Sequence, residues 1–140
     1  MAVTPEQAAL ARHRFERAET TLTEAQDELS RRNHRLTVNR AYYAVFYAMR
    51  AFLALENMDS SKHSGVASLF NQHFIKTGIV PEVSFKAIQT LMDLRHEGDY
   101  QDFAEITVEE AAGAVEATES ALYAMRGILS SRLDDNNKQG

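Results

Sequence analysis

Residues 33–56 read Asn-His-Arg-Leu-Thr-Val-Asn-Arg-Ala-Tyr-Tyr-Ala-Val-Phe-Tyr-Ala-Met-Arg-Ala-Phe-Leu-Ala-Leu-Glu, and this stretch decides the fold. It holds neither Gly nor Pro, and its second half is apolar on nearly all sides. Such a helix is normally the buried centre of a bundle. Ala41, Ala44, Ala48 and Ala51 make a small-residue stripe that lets a neighbouring helix come close. Asn39, Tyr43, Phe46 and Arg50 make a second stripe, aromatic and polar at once. Buried phenol groups need hydrogen-bond partners. The ordinary reading of Tyr42, Tyr43 and Tyr47 is core packing, and the sharper one is ligand stacking. The apolar part contains Arg50 and is too short to span a bilayer.

The flanks supply the partners that a buried helix requires. Thr4-Pro5-Glu6-Gln7 combines an N-cap, a Pro at the first helical position and a capping-box Gln. Ala8, Ala11, Phe15, Ala18, Leu22, Ala25 and Leu29 then recur by threes and fours, a seam for an antiparallel partner. Thr107-Val108-Glu109-Glu110 is a second capping box, opening a helix with the seam Val108, Ala111, Val115, Thr118, Leu122, Met125 and Leu129. Ser60 or Ser61 caps a shorter helix to about Lys76, closed by Gly78, and Pro81-Glu82 opens another. With no strand candidate, the expectation is an all-α, antiparallel up-and-down bundle of about five helices. Residues 1–133 form the bundle and 134–140 a flexible polar tail.

Composition narrows the function classes. A chain of 140 residues is one domain and buries about two-thirds of its unfolded surface. Cys is absent, which removes disulfides, thiol nucleophiles and Cys-ligated zinc and fits a reducing compartment. The five histidines lack the spacing of a compact helix zinc site, and no Gly-rich phosphate loop occurs. The expectation is a cytoplasmic protein with no metal, no cofactor and no membrane segment. Net charge is −5, which argues against indiscriminate nucleic-acid binding. Yet Leu29 through Leu55 contains no acid, while Arg31, Arg32, Arg35, Arg40 and Arg50 all fall there. This is either a phosphate-binding face or a helix junction that pairs with acids of neighbouring helices or of a second subunit.

The helix opened by Pro81 carries the oddest feature. Phe85, Ile88, Leu91 and Met92 define its buried face, and the same face continues to Arg95 and Asp99. A guanidinium on a core-facing stripe is costly unless paired. Asp99, four residues on, is one candidate partner. His63, a helical step before Val66 and Phe70, sits at the edge of another buried face. It reads as a structural histidine or as part of a pocket shared with Arg95 and His96.

Three segments in this order, Arg40-Ala41-Tyr42-Tyr43-Ala44, then Lys62-His63-Ser64-Gly65-Val66, then Arg95 followed by Asp99-Tyr100, resemble the HEPN family of small all-helical domains. The closest likeness is to the stand-alone prokaryotic branch. Many HEPN proteins are metal-independent ribonucleases whose motif is Arg, a polar residue, a short spacer and His. Arg95 matches the arginine, His96 matches the polar position, and Tyr100 stands where the terminal histidine would be. A phenol with pKa near 10 shuttles protons poorly at neutral pH. The resemblance implies a homodimer and, often, a small nucleotidyltransferase encoded nearby, in toxin–antitoxin-like systems. The site it implies groups Arg95, His96 and Tyr100 as the candidate catalytic residues. Asp99, His63, Asn39, Arg40 and Tyr43 join them as ligand contacts, with Arg31, Arg32 and Arg35 as a basic face. Such a cleft binds a nucleotide, an RNA phosphate or a partner protein. The missing histidine favours binding without turnover over the ribonuclease version, and a purely structural or interaction module is the third reading.

Overall fold

The stretch that opened the reading forms one uninterrupted helix, α2 (His34–Leu55), with Asn33 and Glu56 as its caps. The structure is a computed structural model that describes residues 2–100 and 105–139, for residues 97–100 and 135–139 the backbone only. From Ala41 to Leu55 only Tyr43, Tyr47 and Arg50 escape full burial. Burial on all sides needs neighbours on all sides. They are α1 (Pro5–Ser30), α3 (His63–Phe70), α4 (Glu82–Tyr100) and α5 (Val108–Gln139), each of which packs on α2. The described residues contain no strand, so the chain is an all-α bundle wrapped round α2.

Both long flanking helices start at the capping boxes read from the sequence. Thr4 N–H donates to Gln7 Oε1 at 2.8 Å while Gln7 N–H donates to Thr4 Oγ1 at 3.1 Å. Thr107 and Glu110 make the same reciprocal pair at 3.0 and 3.1 Å. In α1 the seam is buried at Ala8, Ala11, Phe15, Ala18 and Ala25, with Leu22 and Leu29 half-buried. In α5 it is buried from Ala111 to Leu129, but Val108, in the first turn, stays 49% exposed. The seam therefore begins one step later than its pattern suggested. Thr118 is wholly buried, and its hydroxyl donates to the Ala114 carbonyl at 2.8 Å, so no polar atom is orphaned there. Helical backbone continues to Gln139, past Leu133, the last core residue among the described side chains.

The connections position the ends of α2 and α3. After α1, Arg32 adopts φ +62°, and Asn33 N–H donates to the Glu28 carbonyl at 3.0 Å. This left-handed reversal lets α2 run back along α1. The start of α3 differs from the sequence expectation. Lys62, rather than Ser60 or Ser61, holds the cap position and makes no side-chain cap bond. Ser60 Oγ instead accepts from Lys62 N–H at 3.2 Å, a local turn that competes with capping. A π-helical turn (Asn71–Ile75) prolongs α3, and Gly78 at φ +79° closes it.

Gly65 is required by that turn. A Cβ there would strike Ser60 Oγ and lie 2.8 Å from Ser60 Cβ. Gly65→Ala is therefore expected to destabilise the fold by about 1–3 kcal/mol, the usual cost of overpacking. Because the turn delivers His63, the ring should shift as well. Chemical denaturation and the His63 ring resonances would check both effects.

Candidate phosphate-binding site

Tyr42 and Tyr43 are neighbours on α2, so their rings diverge around the helix by about 100°. They meet edge to face at 5.1 Å, and two other helices bring groups onto them. From α4, the Arg95 guanidinium lies 4.7 Å from the Tyr42 ring centre and 5.4 Å from that of Tyr43. Its Nη2 donates to Tyr43 Oη at 3.4 Å. The stripe containing Phe85, Ile88 and Leu91 thus aims Arg95 at the aromatic face of α2. Cation–π contact at two rings offsets part of the cost of half-burying the charge.

From α3, His63 comes to the same two phenols. Its Nδ1 lies 2.9 Å from Tyr42 Oη, and Tyr42 is essentially fully buried. The imidazole packs 4.2 Å from Phe46 and edge-on to Tyr43 at 5.6 Å. Burial pushes the His63 pKa down, and the positive charge of Arg95 lowers it further. His63 also opens α3, where the helix dipole disfavours a cation. Of the two sequence readings, a structural histidine or a pocket shared with Arg95, the structure places His63 beside Arg95.

A depressed histidine pKa links to stability with a definite sign. The unfolded chain binds a proton near the ordinary imidazole value of 6.5, while the folded chain resists it. Stability should therefore be full above pH 6.5 and decline as pH falls from there towards the lower folded-state pKa. Melting temperatures measured from pH 7.5 to 5 should show this slope in the native chain and a flatter one in His63→Gln.

Asn39 and Arg40 extend the cluster towards the start of α2. Arg40 donates to Asn39 Oδ1 through Nη2 at 2.7 Å and Nε at 3.2 Å, and stands 5.3 Å from the Tyr43 ring centre. Two guanidiniums, from Arg40 and Arg95, so converge on one phenol. A further depression beyond Asn39 is lined by Asn33, His34, Arg35 and Leu36. His96 is exposed beside Arg95. The side chains of Asp99 and Tyr100 lie outside the described residues, so the proposed Arg95–Asp99 pairing does too.

The basic stretch divides. Arg31 pairs with Glu28 at 3.1 Å, Arg40 with Glu24 at 3.8 Å and Arg50 with Asp59 at 2.7 Å. For these three, pairing with acids of neighbouring segments accounts for part of the charge. Arg32 and Arg35 are exposed at the start of α2. The Arg50 bond holds the Asp59 carboxyl below the usual carboxylate range, and Arg14 joins by donating to the Arg50 carbonyl at 3.0 Å. That group ties α1 to the end of α2. Arg17, which the sequence reading did not single out, lies 4.2 Å from the centre of the Tyr47 ring. Nothing in its α1 context, one residue among many exposed polar ones, marked it.

A family model described as HEPN domain matches residues 11–128 of the chain. The chain belongs to the HEPN family. Among relatives, a UPF0332 protein of Thermotoga maritima is 36% identical over 100 residues, 70% of this chain and 76% of the relative. A Methanocaldococcus jannaschii protein named "Putative toxin MJ0605" is 32% identical over 114 residues, covering 77% of this chain and 85% of its own length. UPF0332 protein glr0978 of Gloeobacter violaceus is 38% identical over 98 residues, 70% and 75% of the two chains. The HEPN match contains every described residue of the Arg95 cluster, from Asn39 to His96. Among the described residues, no group of three or more His, Asp or Glu side chains could hold a metal ion, and no helix is long and apolar enough to cross a membrane.

Proposed function

We propose that this chain is a toxin-like HEPN component whose Arg95 cluster binds the phosphate of single-stranded RNA or of a nucleotide. In this reading the cluster lies in the cleft of a homodimer. A small nucleotidyltransferase encoded nearby is the expected partner protein. The observation that carries the reading is the convergence of Arg95 and Arg40 on Tyr43, with Tyr42 beneath Arg95. Planar guanidiniums on aromatic faces are preorganised for bidentate contact with phosphate oxygens. The half-buried Tyr43 ring beside them offers a surface on which a base can stack. Two M. jannaschii relatives, 32% and 33% identical, carry names that call them putative toxins, which supports the toxin-like part.

The all-round apolar α2 does not call for a second subunit, because helices of the same chain already cover it. What supports pairing instead is α4. Val83 is 74% exposed, and a mainly apolar groove runs between α4 and α5, lined by Ala87, Leu91, Leu94 and Ala114 with Asp93 and Glu110 among them. Pairing along α4 would bring two Arg95 sites together.

The test is binding of a fluorescein-labelled single-stranded RNA, followed by anisotropy, with the mass of the free protein from light scattering. A dimer mass and micromolar or tighter binding are expected. Arg126→Ala, on the far α1–α5 face where it pairs with Glu19 at 2.8 Å, should bind as the native chain does. No binding of RNA or nucleotide would return the cluster to a structural role, and a monomer mass would remove the dimer.

A further inference from the structure

Between Thr37 and Arg50 the residues of α2 that escape full burial are Asn39, Arg40, Tyr43, Tyr47 and Arg50. From Arg40 onward they follow one another by threes and fours, so they form a single strip along the helix. The Arg95 cluster occupies one end of that strip, at Arg40 and Tyr43. One turn further on, the arrangement recurs. Arg17 reaches over from α1 and sets its guanidinium 4.2 Å from the centre of the Tyr47 ring. The Tyr43 and Tyr47 rings lie 6.1 Å apart, with their planes inclined by 38°. Both half-buried rings therefore carry a guanidinium from a neighbouring helix, Arg95 from α4 on Tyr43 and Arg17 from α1 on Tyr47.

The use of its charge separates Arg17 from the arginines around it. Arg40 pairs with Glu24 at 3.8 Å, and Arg14 and Arg50 pair with Asp59 at 3.4 and 2.7 Å. Arg17 is exposed, and among the described residues no carboxylate lies within ion-pair distance of it. A guanidinium held flat against a ring keeps its N–H groups at its rim, where they can meet two oxygens of one phosphate.

We propose that Arg17 and Tyr47 form a second phosphate subsite, so that this face takes a single RNA strand of at least two successive nucleotides rather than a mononucleotide. The inference rests on the phosphate-binding reading above and narrows its ligand. One phosphate lies at Arg95 and Arg40, and the next along the strand lies at Arg17. Tyr47 is a positioning residue that holds the Arg17 guanidinium over the strip. The spacing suits consecutive phosphates. Tyr43 and Tyr47 are four residues apart, about 6 Å along the helix axis. Phosphates of one strand follow at about 3.4 Å along a stacked duplex and stand farther apart when a single strand is drawn out. Beyond Tyr47 the strip ends at Arg50, whose Nη2 donates to Asp59 at 2.7 Å, so Arg17 is the last cation open to the strand.

The experiment measures affinity against ligand length on the full chain. The probes are a fluorescein-labelled 2′-O-methyl oligouridylate tetramer, which resists cleavage, and uridine monophosphate as its competitor. The tetramer should bind at least about tenfold tighter than the mononucleotide, the size of one added charged contact. Arg17→Ala should weaken the tetramer about tenfold and leave the mononucleotide unchanged, because one nucleotide at Arg95 does not reach Arg17. The salt slope for the tetramer should flatten by about 0.7 in the same variant. Tyr47→Phe keeps the ring and should bind as the native chain does, whereas Tyr47→Leu should lose what Arg17→Ala loses. Arg12→Ala removes an equal charge from α1 beside Glu16 and Arg126, away from the strip, and should bind the tetramer normally. A mononucleotide that binds as tightly as the tetramer overturns the subsite and spares the phosphate-binding reading. So does Arg17→Ala that weakens both ligands alike or neither, or Arg12→Ala that matches its effect. No binding of either ligand overturns the phosphate-binding reading and the subsite with it. Should circular dichroism show Tyr47→Leu unfolded, Arg17→Ala decides, since that side chain is exposed.

Discussion

Arg95→Ala is expected to weaken RNA binding about 10- to 100-fold, the size of one charged hydrogen-bonded contact. The same change removes two cation–π contacts, at 4.7 and 5.4 Å, and the bond to Tyr43. Those losses should lower stability by only about 1–2 kcal/mol, because the side chain is half-buried and no packed methyl groups are lost. The contrast between the two readouts matters. A ligand-binding arginine loses function far out of proportion to stability, whereas a structural clip does the reverse. Arg95→Lys should recover little of the binding, since a point charge on a flexible stem neither stacks on both phenols nor reaches two phosphate oxygens. Anisotropy and thermal melting of the same preparations check both.

Phe52→Ala should destabilise the fold by about 3–5 kcal/mol, the range for deleting a fully buried aromatic ring. Phe52 has no exposed surface and packs edge to face on Phe70 at 5.8 Å and on Phe74 at 5.3 Å. It is thus the joint between α2 and the α3–π segment. Urea denaturation followed by helical circular dichroism would read the loss as a lower midpoint with an unchanged slope. Because α3 carries His63, a partly folded product should lose the Tyr42–His63 contact first.

How much of this was visible beforehand differs by feature. The all-α bundle was legible because local rules and the global pattern agree. Thr4 and Thr107 cap as their spacing predicted, and all of Ala41 to Leu55 but Tyr43, Tyr47 and Arg50 is fully buried, as its composition predicted. The start of α3 was less legible, since Ser60 could cap a helix or turn back on Lys62, and only the close approach at Gly65 decides between them. On the site, periodicity marked Arg95 as facing the core but not what it faces. Spacing relates residues on one helix; the meeting of His63, Tyr42 and Arg95 depends on how three helices cross. The partners of the basic stretch stayed open for the same reason: Glu28 is local, but Glu24 and Asp59 reach Arg40 and Arg50 only through the α1–α2 packing and the turn after α2.

The most direct test of the central claim, that Arg95 contacts a phosphate, is the salt dependence of RNA binding in native protein and Arg95→Ala. For single strands the logarithm of affinity falls against the logarithm of salt with a slope of about −0.7 per phosphate contact. If Arg95 makes one such contact, its removal should flatten the slope by about that amount, while Arg126→Ala leaves it unchanged. Parallel lines for native protein and Arg95→Ala would contradict the account.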